Sequence, residues 1–267
     1  MGLDAFVRCR CWDDGLVSEP PVPRGLIAVD DEGHLGVPED VPDELYHRFL
    51  DWAESGACAH DDMQELSRRV ANWSGYRLFQ DAARTLGAER LPVLCGRLPE
   101  ANGGLLGPDE AGRALAELRV FAEQIGAVPR TVLLDEADGR AVATHVAAYD
   151  GVFLLDGRSQ LRAGVGPGGF FVRDESASPP VELFRAVRFA QERVGERAVR
   201  LTDLDGPGEA TVPLFTAVGA RGAPDDHPRR LRVETKPATA ADFAYATGPL
   251  AELFAASVRT GNPVVWY

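Results

Sequence analysis

The chain has 267 residues, 45% of them apolar and 26% charged, the proportions of an ordinary globular protein long enough for one large domain or two modest ones. A net charge of −13 and a pI near 4.9 set it against a nucleic-acid backbone or an anionic membrane surface and favour a basic protein partner or a metal ion. No stretch reaches the roughly 18 uninterrupted apolar residues of a membrane span, and the N-terminus lacks a basic region followed by an apolar one, so a cytoplasmic protein is expected.

Residues 3–12 alternate as a β-strand, with Leu3, Ala5, Val7, Cys9 and Cys11 on one face and Arg8 and Arg10 on the other. A proline-rich connector (residues 18–24) leads to a short strand over 25–30, closed by the Asp31-Glu32-Gly33 turn. A helix opens at Pro42-Asp43-Glu44, carries Leu45, Phe49 and Trp52 on its apolar stripe and stops at Gly56. Cys58 and His60 link it to an expected second helix with Met63, Leu66, Val70 and Trp73 inward, and a third is expected from Ser74 to Gly87 with Tyr76 and Arg77 on its surface. Leu91 to Cys95 reads as a short strand, residues 100–107 as a glycine-rich loop, and Pro108 starts a long amphipathic helix ending at Gly126.

From Arg130 the period becomes two, and a meander of short strands is expected over 131–134, 141–146, 151–155 and 169–172, with 164–169 as a turn. The Ser/Pro cluster at 176–180 marks a boundary between halves. Pro180 then leads a predicted helix with Leu183, Phe184, Val187, Ala190 and Val194 buried and Arg185, Arg188, Arg193 and Arg197 outside. Two strands (198–202 and 210–217), a capping-box start at Thr239 and Asp242, two helices split by Gly248-Pro249, and a closing strand at 263–267 complete the chain. The pattern predicts an α+β fold, an antiparallel sheet with flanking helices and a helical N-terminal half. The parts are 1–128, mainly helical with the Cys/His residues, and 129–267, the sheet part, or one continuous domain.

The chemistry concentrates in Cys9-x-Cys11 and Cys58-x-His60, which together supply the four soft ligands of a tetrahedral zinc site. The same cysteines also read as small apolar side chains on a buried strand face, and Cys-x-Cys is tighter than the usual two-to-four-residue spacing of a zinc knuckle. Four cysteines are too few for a disulfide framework, and adjacent ones such as Cys9 and Cys11 are badly placed to bridge, which suits a reducing compartment. Cys58 precedes an expected helix, whose N-terminus favours a thiolate. His34, beside Asp31 and Glu32, could instead join Cys-x-Cys in an open, hydrolase-type zinc site; His47, His145 and His227 read as structural. No nucleophile elbow, His-Glu-x-x-His helix, P-loop or dinucleotide fingerprint is present, and the acidic turns lack calcium-loop spacing. Cys58 and His60 sit too close in sequence to act as nucleophile and base.

The opening Met1-Gly2-Leu3-Asp4-Ala5-Phe6-Val7-Arg8-Cys9-Arg10-Cys11, with Ala57-Cys58-Ala59-His60 and Thr260-Gly261-Asn262-Pro263, resembles a family of uncharacterised bacterial cytosolic proteins. A single lysine, Lys236, among many arginines fits a GC-rich bacterial genome. Small acidic proteins of this sort resemble the immunity proteins of toxin systems, which implies a non-enzymatic role in covering a basic protein partner. The sequence thus predicts a soluble binding or regulatory protein in which Cys9, Cys11, Cys58 and His60 offer a structural zinc site as an option beside a buried-core role for the cysteines; the competing expectation is a metal-dependent hydrolase using the same cluster.

Overall fold

The computed structural model describes residues 2–30, 33–156, 160–195, 197–214, 216–222 and 226–267. In chain order the strands are β1 (Gly2–Arg8), β2 (Ala28–Val29), β3 (Leu35–Gly36), β4 (Gln64–Asn72), β5 (Leu105–Leu106), β6 (Pro129–Asp135), β7 (Ala141–Thr144), β8 (Val152–Asp156), β9 (Leu161–Gly166), β10 (Gly169–Asp174), β11 (Val181–Ala186), β12 (Arg188–Arg193), β13 (Val199–Asp203), β14 (Glu209–Val212), β15 (Arg230–Pro237) and β16 (Val264–Trp266). The α-helices are α1 (Asp43–Asp51), α2 (Trp73–Leu86), α3 (Pro92–Gly96), α4 (Pro108–Gln124) and α5 (Ala244–Thr260). The architecture is α+β, with antiparallel sheets and flanking helices. No described helix is long and apolar enough to cross a membrane.

The chain forms two compact units, Met1–Ile125 with Thr239–Tyr267, and Gly126–Ala238. The last 29 residues therefore return to the first unit and do not extend the second, which corrects the expected 129–267 part. The Ser/Pro cluster at 176–180 is no boundary either, because it joins β10 to β11 inside the second unit.

In the first unit the sheet runs β4-β1-β16-β5. Apolar alternation in β1 puts Leu3, Ala5 and Val7 in full burial, and α2 and α5 pack on this strand. On the other side Phe6 meets the rings of His34 and Tyr267 at 5.3 and 5.8 Å. The helices close around an aromatic series in which Phe79, Phe121 and Phe243 are in edge-to-face contact. Asn72 caps α2 by accepting the Gly75 N–H at 2.7 Å. The short α3 is started by Glu117 of α4, whose buried carboxylate accepts the N–H groups of Val93 and Leu94 at 2.9 to 3.1 Å.

Three local expectations are overturned here. Of the helix expected over Met63, Leu66, Val70 and Trp73, residues 64–72 are strand β4, while Met63 ends a 3-10 turn and Trp73 opens α2: pairing with the apolar β1, through a ladder with two bulges, outweighs a spacing that also fits a helix. The strand expected at Leu91 to Cys95 is helix α3, started by Pro92 and by a carboxylate distant in sequence. The two helices expected around Gly248-Pro249 are one, α5, with Pro249 inside it.

Tyr76, expected on the surface, is fully buried, and among the described residues nothing hydrogen-bonds its hydroxyl. Burial also raises its pKa, with Glu100 adding to the effect. A buried hydroxyl without a partner is unfavourable. Tyr76→Phe should therefore leave stability unchanged or raise it by about 1 kcal/mol, read as the midpoint of urea unfolding; a loss above that size would mean that the hydroxyl has a partner.

The second unit places two antiparallel sheets, β14-β13-β12-β15-β6-β7 and β11-β10-β9-β8, around one apolar core in which Phe170 stacks on Phe189 at 4.4 Å. The helix expected from Pro180 is in fact β11 and β12, separated by Val187, which carry the chain from one sheet to the other. Burial there follows a period of two, with Phe184 and Ala186 and then Phe189 and Gln191 inward. The arginines of the expected helix face pair with acids, Arg185 with Glu182 and Arg188 with Glu136 and Asp205. Among the described residues this unit contains no α-helix.

Candidate metal centre

The four side chains singled out from the sequence come together where β1 ends. Cys9 is fully buried, while Cys11, Cys58 and His60 are half-buried. The Cys9 N–H continues the ladder past a bulge by donating to the Met63 carbonyl at 2.7 Å. The chain then turns, with Asp14 N–H on the Arg10 carbonyl and Leu16 N–H on the Cys11 carbonyl, both 2.8 Å. On the opposite side α1 runs into a π-helical turn (Trp52–Gly56) that ends just before Cys58. Ser18 fastens this end: its hydroxyl donates to the Gly56 carbonyl at 2.7 Å and accepts from the Trp52 indole at 2.8 Å. Beyond His60, Asp62 and Met63 both take left-handed backbone conformations, φ 51° and 54°, which non-glycine residues adopt at a cost.

Each of the four residues offers one ligand atom, and all four atoms lie within 4.8 Å of one another. Cys9 Sγ is 3.8 Å from Cys58 Sγ, and His60 Nδ1 is 3.5 Å from Cys11 Sγ and 3.7 Å from Cys58 Sγ. A tetrahedron with metal–sulfur bonds near 2.3 Å and metal–nitrogen bonds near 2.05 Å has edges of about 3.8 Å between sulfurs and about 3.6 Å from sulfur to nitrogen. Three of the six edges, Cys9–Cys58 and those from His60 to Cys11 and Cys58, match these values, and the four ligand atoms stay within 4.8 Å of one another. The four residues are thus a Cys3His group at metal-binding distances.

Burial pushes the Cys9 thiol up to about 12, against the lowering effect of the Cys11 backbone N–H and with the Cys11 and Cys58 side chains adding to the rise, and burial raises that of Cys11 as well. Without a cation both would be held as thiols; a divalent ion at the centre supplies the charge that stabilises thiolates in this setting. The surrounding side chains are apolar and include Phe49, Trp52, Met63 and Ile27.

A ring of further contacts positions the ligands. Asn262 donates through Nδ2 to the carbonyls of Arg8 (2.9 Å) and Cys9 (3.1 Å), and Arg10 donates to the Thr260 carbonyl at 3.0 Å. Gly261, at φ 74°, closes α5 with its N–H on the Ser257 carbonyl and turns the chain so that Asn262 reaches β1. The sequence stretches around Cys9, Cys58 and Asn262, far apart in the chain, therefore meet at one place. His60 Nε2 lies 3.5 Å from Glu65. Sequence reasoning missed Glu65, which it had placed on a helix, and noted Asn262 only as part of a motif.

The other histidines are elsewhere. His34 packs on Phe6 and lies 3.9 Å from Asp30, outside the Cys3His group; Asp31 and Glu32, its expected companions, lie outside the described residues. His47 sits beside Tyr46 on α1, His145 Nδ1 is 2.8 Å from the Val165 carbonyl, and His227 is 3.3 Å from Arg229. Charge is unevenly spread around the centre: residues 9–63 hold fourteen acids against Arg10, Arg24 and Arg48, a net −11 of the chain's −13. No protein-family model matches the chain, and no curated protein or solved structure matches it.

Proposed function

We propose that Cys9, Cys11, Cys58 and His60 hold a structural zinc ion, which fastens residues 9–63 into an acidic lobe that binds a basic protein surface. The observation that supports the metal is the convergence of three cysteines and one histidine within 4.8 Å of one another, with three edges at the lengths of a zinc tetrahedron. Soft thiolates with one imidazole favour zinc over calcium or magnesium, which take oxygen ligands. Four protein ligands occupy every position of a tetrahedral ion and leave none for a reacting water. That favours a structural role over the hydrolase reading.

The partner follows from charge. A lobe carrying −11 repels anions and attracts cationic surfaces, and such attraction speeds encounter and weakens with salt. The apolar side chains of Tyr46 and Leu50, one turn apart on α1 and each 43% exposed, offer contact area among those acids.

Protein purified without added zinc should contain close to one equivalent by elemental analysis, and Cys58→Ser and Cys9→Ser should each remove most of it. Folded, metal-free wild-type protein would refute the zinc reading and leave the cysteines as core residues. Loss of zinc in the variants together with unchanged, salt-sensitive binding to an arginine-rich probe peptide would separate the metal from the partner role.

A further inference from the structure

We propose that Glu65 is the outer carboxylate of this centre: it accepts the Nε2 proton of His60, fixes Nδ1 as the metal-binding nitrogen, and is itself held by Arg259 of α5. The inference rests on the zinc reading above and adds the residues that orient its only nitrogen ligand.

Four observations converge on it. The imidazole presents Nδ1 to the sulfurs, at 3.5 and 3.7 Å, so the ring nitrogen left to carry a proton is Nε2. That nitrogen is 3.5 Å from Glu65 Oε2. The other carboxylate oxygen, Oε1, accepts from Arg259 Nη2 at 2.6 Å, which leaves Oε2 for the histidine. Lastly, the β1–β4 register passes from Val7 opposite Leu66 to Arg8 opposite Gln64 and so skips Glu65. Glu65 is therefore the extra residue of a β-bulge, the device by which a strand re-aims one side chain.

The chemistry follows. A neutral imidazole that donates its remote N–H to a carboxylate is locked in one tautomer and one ring orientation, and the carboxylate makes the ligating nitrogen a better donor. Arg259 keeps the carboxylate from rotating away. The Glu65 side chain is 24% exposed and that of Arg259 60%, so the pair is solvent-screened and serves to orient the carboxylate more than to add stability. Affinity for the metal is thereby set in part from α5, the last helix of the chain.

The test uses the full-length protein and cobalt(II) as a spectroscopic probe. Wild type should bind one equivalent with the charge-transfer bands of thiolate ligation and the visible bands of a tetrahedral ion. In competition with a chromophoric zinc chelator, Glu65→Gln should weaken zinc binding by about 10- to 100-fold, the usual effect of losing such a partner, with a smaller loss for Arg259→Gln and partial recovery in Glu65→Asp. Glu252→Gln is the control, because it removes the neighbouring Arg68–Glu252 pair, which does not touch the ligands. A long-range ¹H–¹⁵N spectrum of the zinc-loaded protein should show His60 protonated at Nε2, with that signal moving in Glu65→Gln.

Equal affinity of wild type and Glu65→Gln, an equal loss in Glu252→Gln, or metal bound through Nε2 would each overturn the assignment while leaving the zinc centre in place. Failure of wild type to take up cobalt would instead overturn the centre itself, and this inference with it.

Discussion

Stripping the proposed zinc with a chelator is expected to unfold residues 9–63 while the rest of the chain keeps its structure. This segment has little else to hold it. Among the described residues its regular structure is the nine-residue α1, a five-residue π-helical turn, two three-residue 3-10 turns and the two-residue strands β2 and β3, and its buried core is seven residues, Cys9 among them, with partly buried apolar side chains around it. A segment of this size seldom buries enough apolar surface to offset its chain entropy without a staple. Here the net charge of −11 adds self-repulsion. The left-handed Asp62 and Met63 each cost about 1–2 kcal/mol and persist only where their surroundings impose them. Structural zinc in small domains contributes an apparent ~10–16 kcal/mol at neutral pH, enough to outweigh these terms together. Hydrogen exchange before and after chelation would show the result as protection lost across residues 9–63 and kept in β6 and β15. Cys58→Ser should reproduce the pattern, and Cys95→Ser, whose thiol lies outside the group, should not. Protection that survives chelation would mean that the seven-residue core suffices by itself.

Glu117→Ala should lower the stability of the first unit by about 3 kcal/mol. The carboxylate is buried and accepts from two backbone N–H groups, Val93 and Leu94. Truncation removes charge-assisted bonds and leaves two donors at the start of α3 with no partner and little access to water, each unfavourable by about 1–3 kcal/mol. Glu117→Gln keeps one acceptor and should lose roughly half as much. Chemical denaturation of the zinc-loaded protein would measure both, and near-equal stability of wild type and Glu117→Ala would show that solvent reaches the start of α3.

What the sequence made legible depended on the range of the information. Helix α4 was readable because its start at Pro108, its acidic first turn and its apolar stripe are all local. Strand β10 was readable from its apolar run, but β9 was not, because the glycines of residues 164–166, read as part of a turn, pair with β10 as strand. The Cys3His group could be assembled by counting soft side chains, although that count could not tell a metal centre from a buried strand face. What failed was whatever distant pairing decides. Residues 64–72 are a strand because β1 lies beside them, and residues 181–193 are strands because two sheets need a connection there; both stretches carry apolar spacings that also fit a helix. The closeness of Glu65 to His60 was invisible for a related reason, since it depends on a bulge in the β1–β4 ladder.

The first unit is interrupted in sequence by the whole of the second, and this sets an order for folding during synthesis. Residues 126–238 are contiguous and can fold as soon as they emerge. The sheet of the first unit must wait for β16, which sits between β1 and β5, and the cysteines translated first must wait for Asn262, which clamps the Arg8 and Cys9 carbonyls. Through most of translation the nascent chain therefore exposes a Cys-x-Cys pair whose seat is still unbuilt, free to take a metal ion early or to be oxidised before it does.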